Sequence, residues 1–369
     1  MNWTDLHTES ERLAIEAESA AKARDSGRAT NLYRQAAEWE RRALDQLDPS
    51  KTRTRGITAV SAVALWFKAG EYTAAEQLAH SLLAGAQIPE FARDDLRNLV
   101  QAIWTESSKR EAGVEFVPGQ VMVSVKGGEV VTGGAPLDLI VDKVQTIQSM
   151  FYRTIEFLNG VSHRRSGRPA KELQDACRPW LFQAAPGSYQ FAVAIQKPVQ
   201  PDFFKETIEP EQIARHFLEI VGASSGDDVA VLEKLVPDEK YRNTFLKLTR
   251  NLAPAGKSFD RIELRGAGES KPVALGIECR SSINQQLRTL STFPVAVGES
   301  EELRGTLRAL HLDQDWLEVV TVDGASVRVE GLQEAVDDVI GPMVNRSVVV
   351  RAFRATSKKL KFSDIELAD

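Results

Sequence analysis

The chain has 369 residues, of which 43% are hydrophobic and 27% are charged, and its formal net charge is -6. These values are typical of globular proteins, and the acidity disfavours a chain dedicated as a whole to nucleic acid or anionic membranes. The only cysteines, Cys177 and Cys279, exclude a disulfide framework and a cysteine-rich zinc site. No apolar run approaches the roughly 18 residues of a membrane span, and no signal peptide is visible. We therefore predict a soluble cytoplasmic protein without a cofactor or a membrane partner.

The hydrophobic periodicity changes twice along the chain, which predicts a multidomain α+β protein. Residues 1–112 have helical spacing and predict an N-terminal helical bundle. Residues 113–291 mix helical and alternating patterns, with antiparallel hairpins, and predict a central α+β domain. Residues 292–369 alternate almost throughout and predict a small SH3-like or OB-like β-barrel. Ser291–Glu302 is the predicted linker before it.

Five helices are predicted in the first region, because apolar residues recur at spacings of three and four between clear breakers. These breakers are Gly27, Pro49, Gly70 and Pro89. Proline removes a backbone donor, and glycine permits the left-handed conformation at a helix end. The region is therefore expected to form helical hairpins joined by short turns.

One segment of this region carries a family resemblance. Leu65–Ala79 resembles the turn between the two helices of a tetratricopeptide repeat, with Gly70, Tyr72 and Ala75 at the positions of its glycine, aromatic and small packing residue. Gly27, Tyr33 and Ala36 form a weaker second copy. The resemblance covers roughly residues 20–85, which also resemble a microtubule-interacting-and-transport bundle, and a plain helical bundle explains the same small residues. A repeat implies a groove for a partner, for which the candidate contact residues are Tyr33, Trp39, Trp66 and Tyr72.

The central region begins with an alternating strand at Val121–Val125, and Gly127-Gly128 predicts a hairpin turn into a returning strand at 129–132. A long amphipathic helix is predicted over 137–158, and a second helix over Pro169–Trp180. Further predicted elements are a strand at 188–195, helices at 210–221, 229–235 and 239–252, strands at 259–265 and 273–279, and a helix at 282–290. In the third region, five strands and one short helix at 333–339 are predicted.

The sequence also contains patterns that resemble catalytic motifs. Asn251–Ser258 imitates a phosphate-binding loop, and Gly222–Gly226 matches G-x-S-x-G. Both motifs require a strand before the turn and a helix after it, which neither segment is predicted to have. Asp260 and Glu278 would lie on neighbouring strands and suggest a divalent-metal site, but Arg280 stands where a nuclease has lysine. We predict no catalytic residue and keep this metal site as a weak alternative.

The densest basic run is His163–Arg168, which contains Arg164, Arg165 and Arg168. Arg153 precedes it on the long helix, and Arg250 belongs to a second basic group. If these five arginines converged, they would form an anion or nucleic-acid site through guanidinium contacts. The alternative is a solvated loop and helix face. Net charge favours the central region for such a role, since residues 114–291 carry +1 and residues 292–369 carry -5.

The function that these observations favour is a non-catalytic adaptor or scaffold that binds another protein through its N-terminal helices. The alternative function is a nucleic-acid-binding protein or a metal-dependent nuclease that acts through the central domain. A small-molecule sensor is a third possibility for which no pattern argues. The partner's identity and the oligomeric state do not follow from the sequence.

Overall fold

The computed structural model describes residues 2–85, 87–113, 115–131, 133–183, 189–197, 212–226, 228–266, 271–290, 300–332, 336–356 and 359–368. These residues contain an N-terminal helical region and two β-sheets, which confirms the predicted mixed α+β class. The chain divides into two compact units, residues 1–114 with 182–187, and residues 115–181 with 188–369. Within the described residues, every helix is too short or too polar to cross a lipid bilayer.

The first unit is built from five helices, as the periodicity predicts. These are α1 (Trp3–Lys22), α2 (Ser26–Gln46), α3 (Thr52–Lys68), α4 (Tyr72–Ala84) and α5 (Glu90–Glu111). Each helix packs on the next one, and α3 also packs on α5. The helices meet along alanine side chains that are fully buried, and this small size lets neighbouring backbones approach closely. The fully buried alanines are Ala17, Ala36, Ala37, Ala43, Ala59, Ala62, Ala75, Ala79 and Ala92.

The two hairpins of the predicted repeats turn in different ways. Gly70 ends α3 with φ +70°, a left-handed conformation that favours glycine. Between α1 and α2 the corresponding residue is Arg24, whose φ is +60°. Gly27 lies inside the first turn of α2 and adopts no left-handed conformation. The first hairpin therefore lacks the turn glycine of the motif, although Ala36 is fully buried as the motif requires.

A buried side-chain amide lies in the core of the first unit. Gln101 on α5 is fully buried, and neither its Oε1 nor its Nε2 has a hydrogen-bond partner among the described residues. The neighbouring polar residue Thr105 donates its hydroxyl to the backbone carbonyl of Gln101, at 2.9 Å, and leaves the amide unsatisfied. Burying an unpaired amide costs free energy, because both groups lose their hydrogen bonds to water.

The substitution Gln101→Leu should therefore stabilise the protein. We expect the free energy of unfolding to rise by about 1–2 kcal/mol, since the cost of desolvating the amide disappears. Urea denaturation followed by circular dichroism measures this change. The control is Gln77→Leu at an exposed position of α4, which should change stability by no more than about 0.5 kcal/mol. A loss of stability in the Gln101 variant would contradict the prediction.

The second unit contains a five-stranded sheet with the strand order β2-β3-β1-β4-β5, apart from the last two residues of β2, which are grouped with the first unit. Its strands are β1 (Phe116–Lys126), β2 (Pro179–Gln183), β3 (Tyr189–Gln196), β4 (Arg261–Gly266) and β5 (Val273–Gly276). The helices of this part are α6 (Leu137–Leu158), α7 (Lys171–Ala176), α8 (Ile213–Ser225), α9 (Val229–Leu235), α10 (Glu239–Leu252) and α11 (Ile277–Leu290). α8 packs against β1, β4 and β5, and Phe151 of α6 stacks on Phe217 of α8 with 4.1 Å between ring centroids.

The predicted hairpin at Gly127-Gly128 is wrong. β1 pairs antiparallel with β3 on one side and β4 on the other, so neither edge is free for a returning strand. Gly128 instead lies directly against the backbone of Ser258, where a Cβ would have no room. The amide of Glu129 donates to the carbonyl of Ser258 at 3.0 Å, which fixes the chain as it leaves the strand.

Two other boundaries differ from the prediction. The helix expected over Pro169–Trp180 is confined to α7, and Pro179 begins β2. The strand expected over 273–279 ends at Gly276, where α11 begins. Cys279, Ile283 and Leu287 are buried at a spacing of four. This helical spacing determines the conformation because it places three apolar side chains in the core.

The second sheet of this unit contains the remaining five strands. They are β6 (Ser300–His311), β7 (Trp316–Thr321), β8 (Ser326–Glu330), β9 (Ser347–Thr356) and β10 (Lys359–Leu367). Their order is β10-β8-β7-β6-β9, and β9 also pairs with β10, so the pairings form a closed ring. The β8–β10 pairing is parallel and the others are antiparallel. We call it the closed sheet; its SH3-like or OB-like character stays a prediction.

A short helix interrupts the closed sheet between β8 and β9. It spans Val336–Ile340 and is followed by a 3-10 turn at Gly341–Met343. The predicted helix at 333–339 overlaps it, although residues 333–335 lie outside the described residues. Most of the predicted linker, residues 291–299, also lies outside them, and residues 300–302 belong to β6.

One continuous hydrophobic core serves both sheets of the second unit. It includes Val123 and Ile147 from the central sheet and its helices, and Leu307, Val319 and Val350 from the closed sheet. Each of these side chains is at most 1% exposed. The two sheets therefore bury apolar surface together, which stabilises them as one compact unit.

Candidate anion site and partner-binding residues

Arg153 is the centre of the first group of predicted site residues. It lies near the C-terminal end of α6 and is fully buried. Its Nη2 lies 2.5 Å and its Nε 2.7 Å from Oδ2 of Asp338, which belongs to the short helix of the closed sheet. Its Nη1 lies 3.5 Å from Oε2 of Glu156, one helical turn further along α6. The carboxylates compensate a charge that would otherwise be expensive to bury.

Arg164 joins the same carboxylates from the loop that follows α6. Its Nε donates to Oε1 of Glu156 at 2.7 Å, and its Nη2 lies 3.3 Å from Oδ2 of Asp338. Arg153, Glu156, Arg164 and Asp338 thus form two positive and two negative charges in contact, which we call the first ion-pair cluster. The cluster is electrically balanced, and it connects α6 and its loop to the closed sheet.

The other two arginines of the basic run are more accessible. Arg165 contacts Asp315 through Nη2, which also donates to the carbonyl of Leu332 at 3.2 Å. The carbonyl of Arg165 accepts from the amide of Val336 at 3.0 Å. Arg168 is exposed and forms no ion pair with any described residue. The loop is therefore held along the closed sheet mainly by Arg164 and Arg165.

Arg250 of α10 forms a separate cluster with β10. It is fully buried and contacts Asp364 with two hydrogen bonds, Nη1 to Oδ2 at 2.6 Å and Nη2 to Oδ1 at 3.0 Å. Nη2 also donates to the carbonyl of Ile365 at 2.6 Å, and Nη1 donates to Oδ1 of Asn284 at 2.7 Å. This paired geometry is the strongest arrangement for an arginine and a carboxylate.

Further charges complete this second ion-pair cluster. Arg351 of β9 lies 2.8 Å and Arg280 of α11 lies 3.4 Å from Glu366 of β10. Burial alone would raise the pKa of Asp364 and of Glu366. The charge of Arg250, together with the other arginines and, for Glu366, the hydrogen bond from Asn284, outweighs burial, so both pKa values are lowered. Both carboxylates are therefore held in the charged form that the arginines require.

The five predicted anion-binding arginines thus lie in different surroundings. Arg153 and Arg164 share the carboxylates of the first cluster, and Arg250 binds carboxylates of β10. The guanidinium groups of these three arginines are therefore directed to carboxylates of the chain itself. Anion binding stays a prediction, and Arg168 is the member of the set that is exposed and unpaired within the described residues.

The two predicted metal ligands lie on unlike elements. Asp260 precedes β4, and its amide donates to the carbonyl of Lys126 at 2.9 Å. Glu278 lies in the first turn of α11, and both side chains belong to exposed residues. In the part of the chain that the structure describes, no three or more His, Cys, Asp or Glu side chains are grouped so as to hold a metal ion.

The four predicted partner-contacting aromatics are half-buried in the first unit. Trp66 packs against both hydrophobic clusters of this unit. Tyr72 lies 5.7 Å from the ring of Phe67, and the guanidinium of Arg110 lies 4.7 Å above its ring. This contact follows the turn at Gly70, so Tyr72 fastens the end of α3 to the start of α4.

Tyr33 and Trp39 of α2 have similar cation contacts. Lys68 Nζ lies 5.5 Å above the ring of Tyr33, and the guanidinium of Arg42 lies 5.2 Å from the ring centroid of Trp39. Burial raises the pKa of Tyr33. Part of each ring is thus committed to packing within the unit, and partner contact by the remaining surface stays a prediction.

Sequence reasoning missed the acidic partners of the arginines. Asp338 contributes a carboxylate to the first cluster, and Asp364 and Glu366 contribute carboxylates to the second, yet none of the three attracts attention in the sequence. The available signal was the charge distribution, in which the third region is strongly acidic beside a slightly basic second region. Opposite charge in adjacent regions favours contact between them.

Comparisons of the chain with models of protein families, with curated proteins and with solved structures found no match.

Removing the buried guanidinium of Arg250 should strongly destabilise the second unit. In Arg250→Met, Asp364 keeps a buried charge without its main partner, and we expect the free energy of unfolding to fall by about 3–5 kcal/mol. Arg168→Met is the control, since Arg168 is exposed and unpaired among the described residues. Adding Asp364→Leu to the Arg250 variant should restore stability. Urea denaturation measures all three, and equal stability of both single variants would contradict the prediction.

His163 should make the free energy of unfolding depend on pH. Its Nε2 lies 2.8 Å from Oγ1 of Thr244, and burial, reinforced by the charge of Arg153, lowers the pKa of His163 from 6.5 to about 4. Between those two pH values, the unfolded chain takes up a proton that the folded chain refuses. The free energy of unfolding should therefore fall as the pH falls from 6.5 to 4.

The substitution His163→Gln tests this, because glutamine keeps a polar group near Thr244 but does not titrate. The urea concentration at the midpoint of unfolding is measured at pH 7, 5.5 and 4.5. As the pH falls, this concentration should decrease less steeply in the variant than in the original chain. His80→Gln, at an exposed position of α4, is the matched control. The same change of slope in both variants would argue against the assignment to His163.

Proposed function

We propose that this chain is a non-catalytic interaction protein that binds a partner protein through its N-terminal helices. The observation that carries the proposal is that α3 and α5, which pack together, each expose a large apolar residue, Ile57 and Phe91, at 49% and 47%; we call these two residues the apolar patch. The two helices meet at Gly56, where a Cβ would lie 3.0 Å from Cζ of Phe91 and 2.7 Å from Cγ of Pro89. Large apolar side chains exposed on neighbouring helices are a feature of protein contact sites.

The local geometry around Gly70 supports the repeat-like character of this unit. Gly70 has the left-handed conformation, Ala75 is fully buried, and Tyr72 packs on Phe67. These are the roles that the three motif positions have in a tetratricopeptide-like hairpin. Helical hairpins of this kind stack into surfaces that bind partner segments, and the adaptor assignment follows from that use.

The alternative, a central domain that binds or cuts nucleic acid, has weaker support. Arg153, Arg164 and Arg250 neutralise carboxylates of the chain itself, so their charge is balanced before any phosphate approaches. Arg168 and the 46%-exposed side chain of Arg165 are the accessible members of the set. Cys177 and Cys279 are buried, and neither forms a disulfide within the described residues, in accord with the cytoplasmic placement that we propose.

The adaptor proposal is tested by changing the apolar patch. The full-length tagged chain and the double variant Ile57→Asp/Phe91→Asp are cross-linked in cells that express them, and recovered partners are quantified by mass spectrometry. We expect at least one partner to be reduced about tenfold or more in the double variant, because burying a carboxylate in an apolar contact is costly. Circular dichroism confirms that the variant remains helical.

The control is Ile15→Asp on α1, since Ile15 is a 64%-exposed isoleucine outside the patch. It should recover the same partners as the original chain. Identical partners and amounts with the double variant would contradict the proposal, as would recovery of no specific partner by the original chain.

A further inference from the structure

A mainly apolar groove lies in the second unit between α8 and α9. Its volume is about 620 Å³, which is within the usual range of binding clefts. α8 and α9 form its two walls, and β5 contributes one side chain. The lining residues are Leu218, Glu219, Gly222, Ala223, Val231, Lys234, Leu235 and Val273.

The wall residues follow helical spacing on both helices. Leu218 and Gly222 are four apart on α8, and Glu219 and Ala223 repeat the same interval. On α9, Val231 is followed by Lys234 and Leu235 at intervals of three and four. Residues at these spacings share one helix face, so each helix presents a single stripe to the groove.

Small residues on α8 leave its backbone accessible from the groove. Gly222 has no side chain, and a Cβ there would lie 3.7 Å from Cγ2 of Val273. Ala223 adds only a methyl group beside it. Opposite them, Val231 remains 52% exposed although it is a large apolar residue. A partner backbone can therefore approach α8 closely while its apolar side chains cover Val231.

The rim of the groove carries one charge of each sign. Glu219 on α8 and Lys234 on α9 are both exposed, and neither pairs with another described residue. Glu233, the neighbour of Lys234, behaves differently, because it lies 3.8 Å from Arg242 of α10. The rim is therefore complementary to a partner that places a basic side chain beside Glu219 and an acidic side chain beside Lys234.

From this geometry we infer that the groove binds an amphipathic helical segment of a partner protein. The segment has an apolar stripe at helical spacing, a lysine or arginine edge beside Glu219 and an aspartate or glutamate edge beside Lys234. Helix-in-groove binding uses apolar anchors of this spacing. The inference does not depend on the partner surface proposed for α3 and α5, and either can fail alone.

An extended peptide fits the groove less well than a helix does. β5 is an edge strand of four residues, and Pro272 before it has no amide to donate. α11 begins at Ile277, directly after the strand. Too few backbone groups are available for an added strand to gain stable pairing.

Three designed helical peptides test the inference, each with leucines at positions i, i+3, i+4 and i+7. The mixed peptide has lysines along one edge and glutamates along the other, and the remaining two have lysines or glutamates along both edges. A helix can lie in a groove in either direction, and each of the two uniform peptides presents the same charge along both edges in either direction. Comparing them with the mixed peptide therefore measures charge preference independently of orientation. Fluorescence anisotropy with the full chain should show saturable binding, with the mixed peptide about fivefold tighter than the others.

Reversing a charge at the rim should change which of the three peptides binds most tightly. Glu219→Lys makes both walls basic and should favour the all-glutamate peptide, whereas Lys234→Glu should favour the all-lysine peptide. Val231→Asp should weaken the mixed peptide about tenfold or more. Val322→Asp is the matched control, since Val322 is a 92%-exposed valine that does not line the groove. Absence of saturable binding, or unchanged preferences in the two charge variants, would overturn the inference.

Discussion

Buried arginines whose carboxylate partners come from a distant part of the chain are the constraint on which the second unit depends. Arg153 and Arg250 are both fully buried, and each has its principal partner in the closed sheet, Asp338 and Asp364. A guanidinium cannot lose its charge inside the protein, so it must be matched by an anion. The helices α6 and α10 are therefore stable in this position only when the closed sheet is formed beside them.

This requirement gives the regional charges a structural meaning. The second region of the sequence is slightly basic and the third is acidic, and much of that difference is used at the two ion-pair clusters. The apolar core is likewise continuous across both sheets. In the sequence, Arg153, Arg164 and Arg250 suggest a site for an external anion. In the structure, these arginines pair with carboxylates of the chain itself.

The sequence predicts local features well because their causes are local. The five N-terminal helices and α6 follow from apolar spacing and breakers, and the strands of the closed sheet follow from alternation. Partners far apart in sequence could not be predicted: Arg153 and Asp338 are 185 positions apart, and Arg250 and Asp364 are 114 apart. The prediction of a hairpin at Gly127 was wrong for the same reason, since strands β3 and β4, which are distant in sequence, occupy both edges of β1. The groove beside Val231 was missed because a short helix with one outward valine has no distinctive pattern.

The position of β10 has a consequence for how the chain folds during its synthesis. β10 is the last of the described strands to be made, yet it pairs with β8 and β9, contributes Leu360, Phe362 and Ile365 to the core, and carries Asp364. While the ribosome holds this strand, the closed ring is open and Arg250 lacks its carboxylate. The N-terminal helices can fold as they emerge, whereas the second unit must wait for nearly its whole length before it becomes stable.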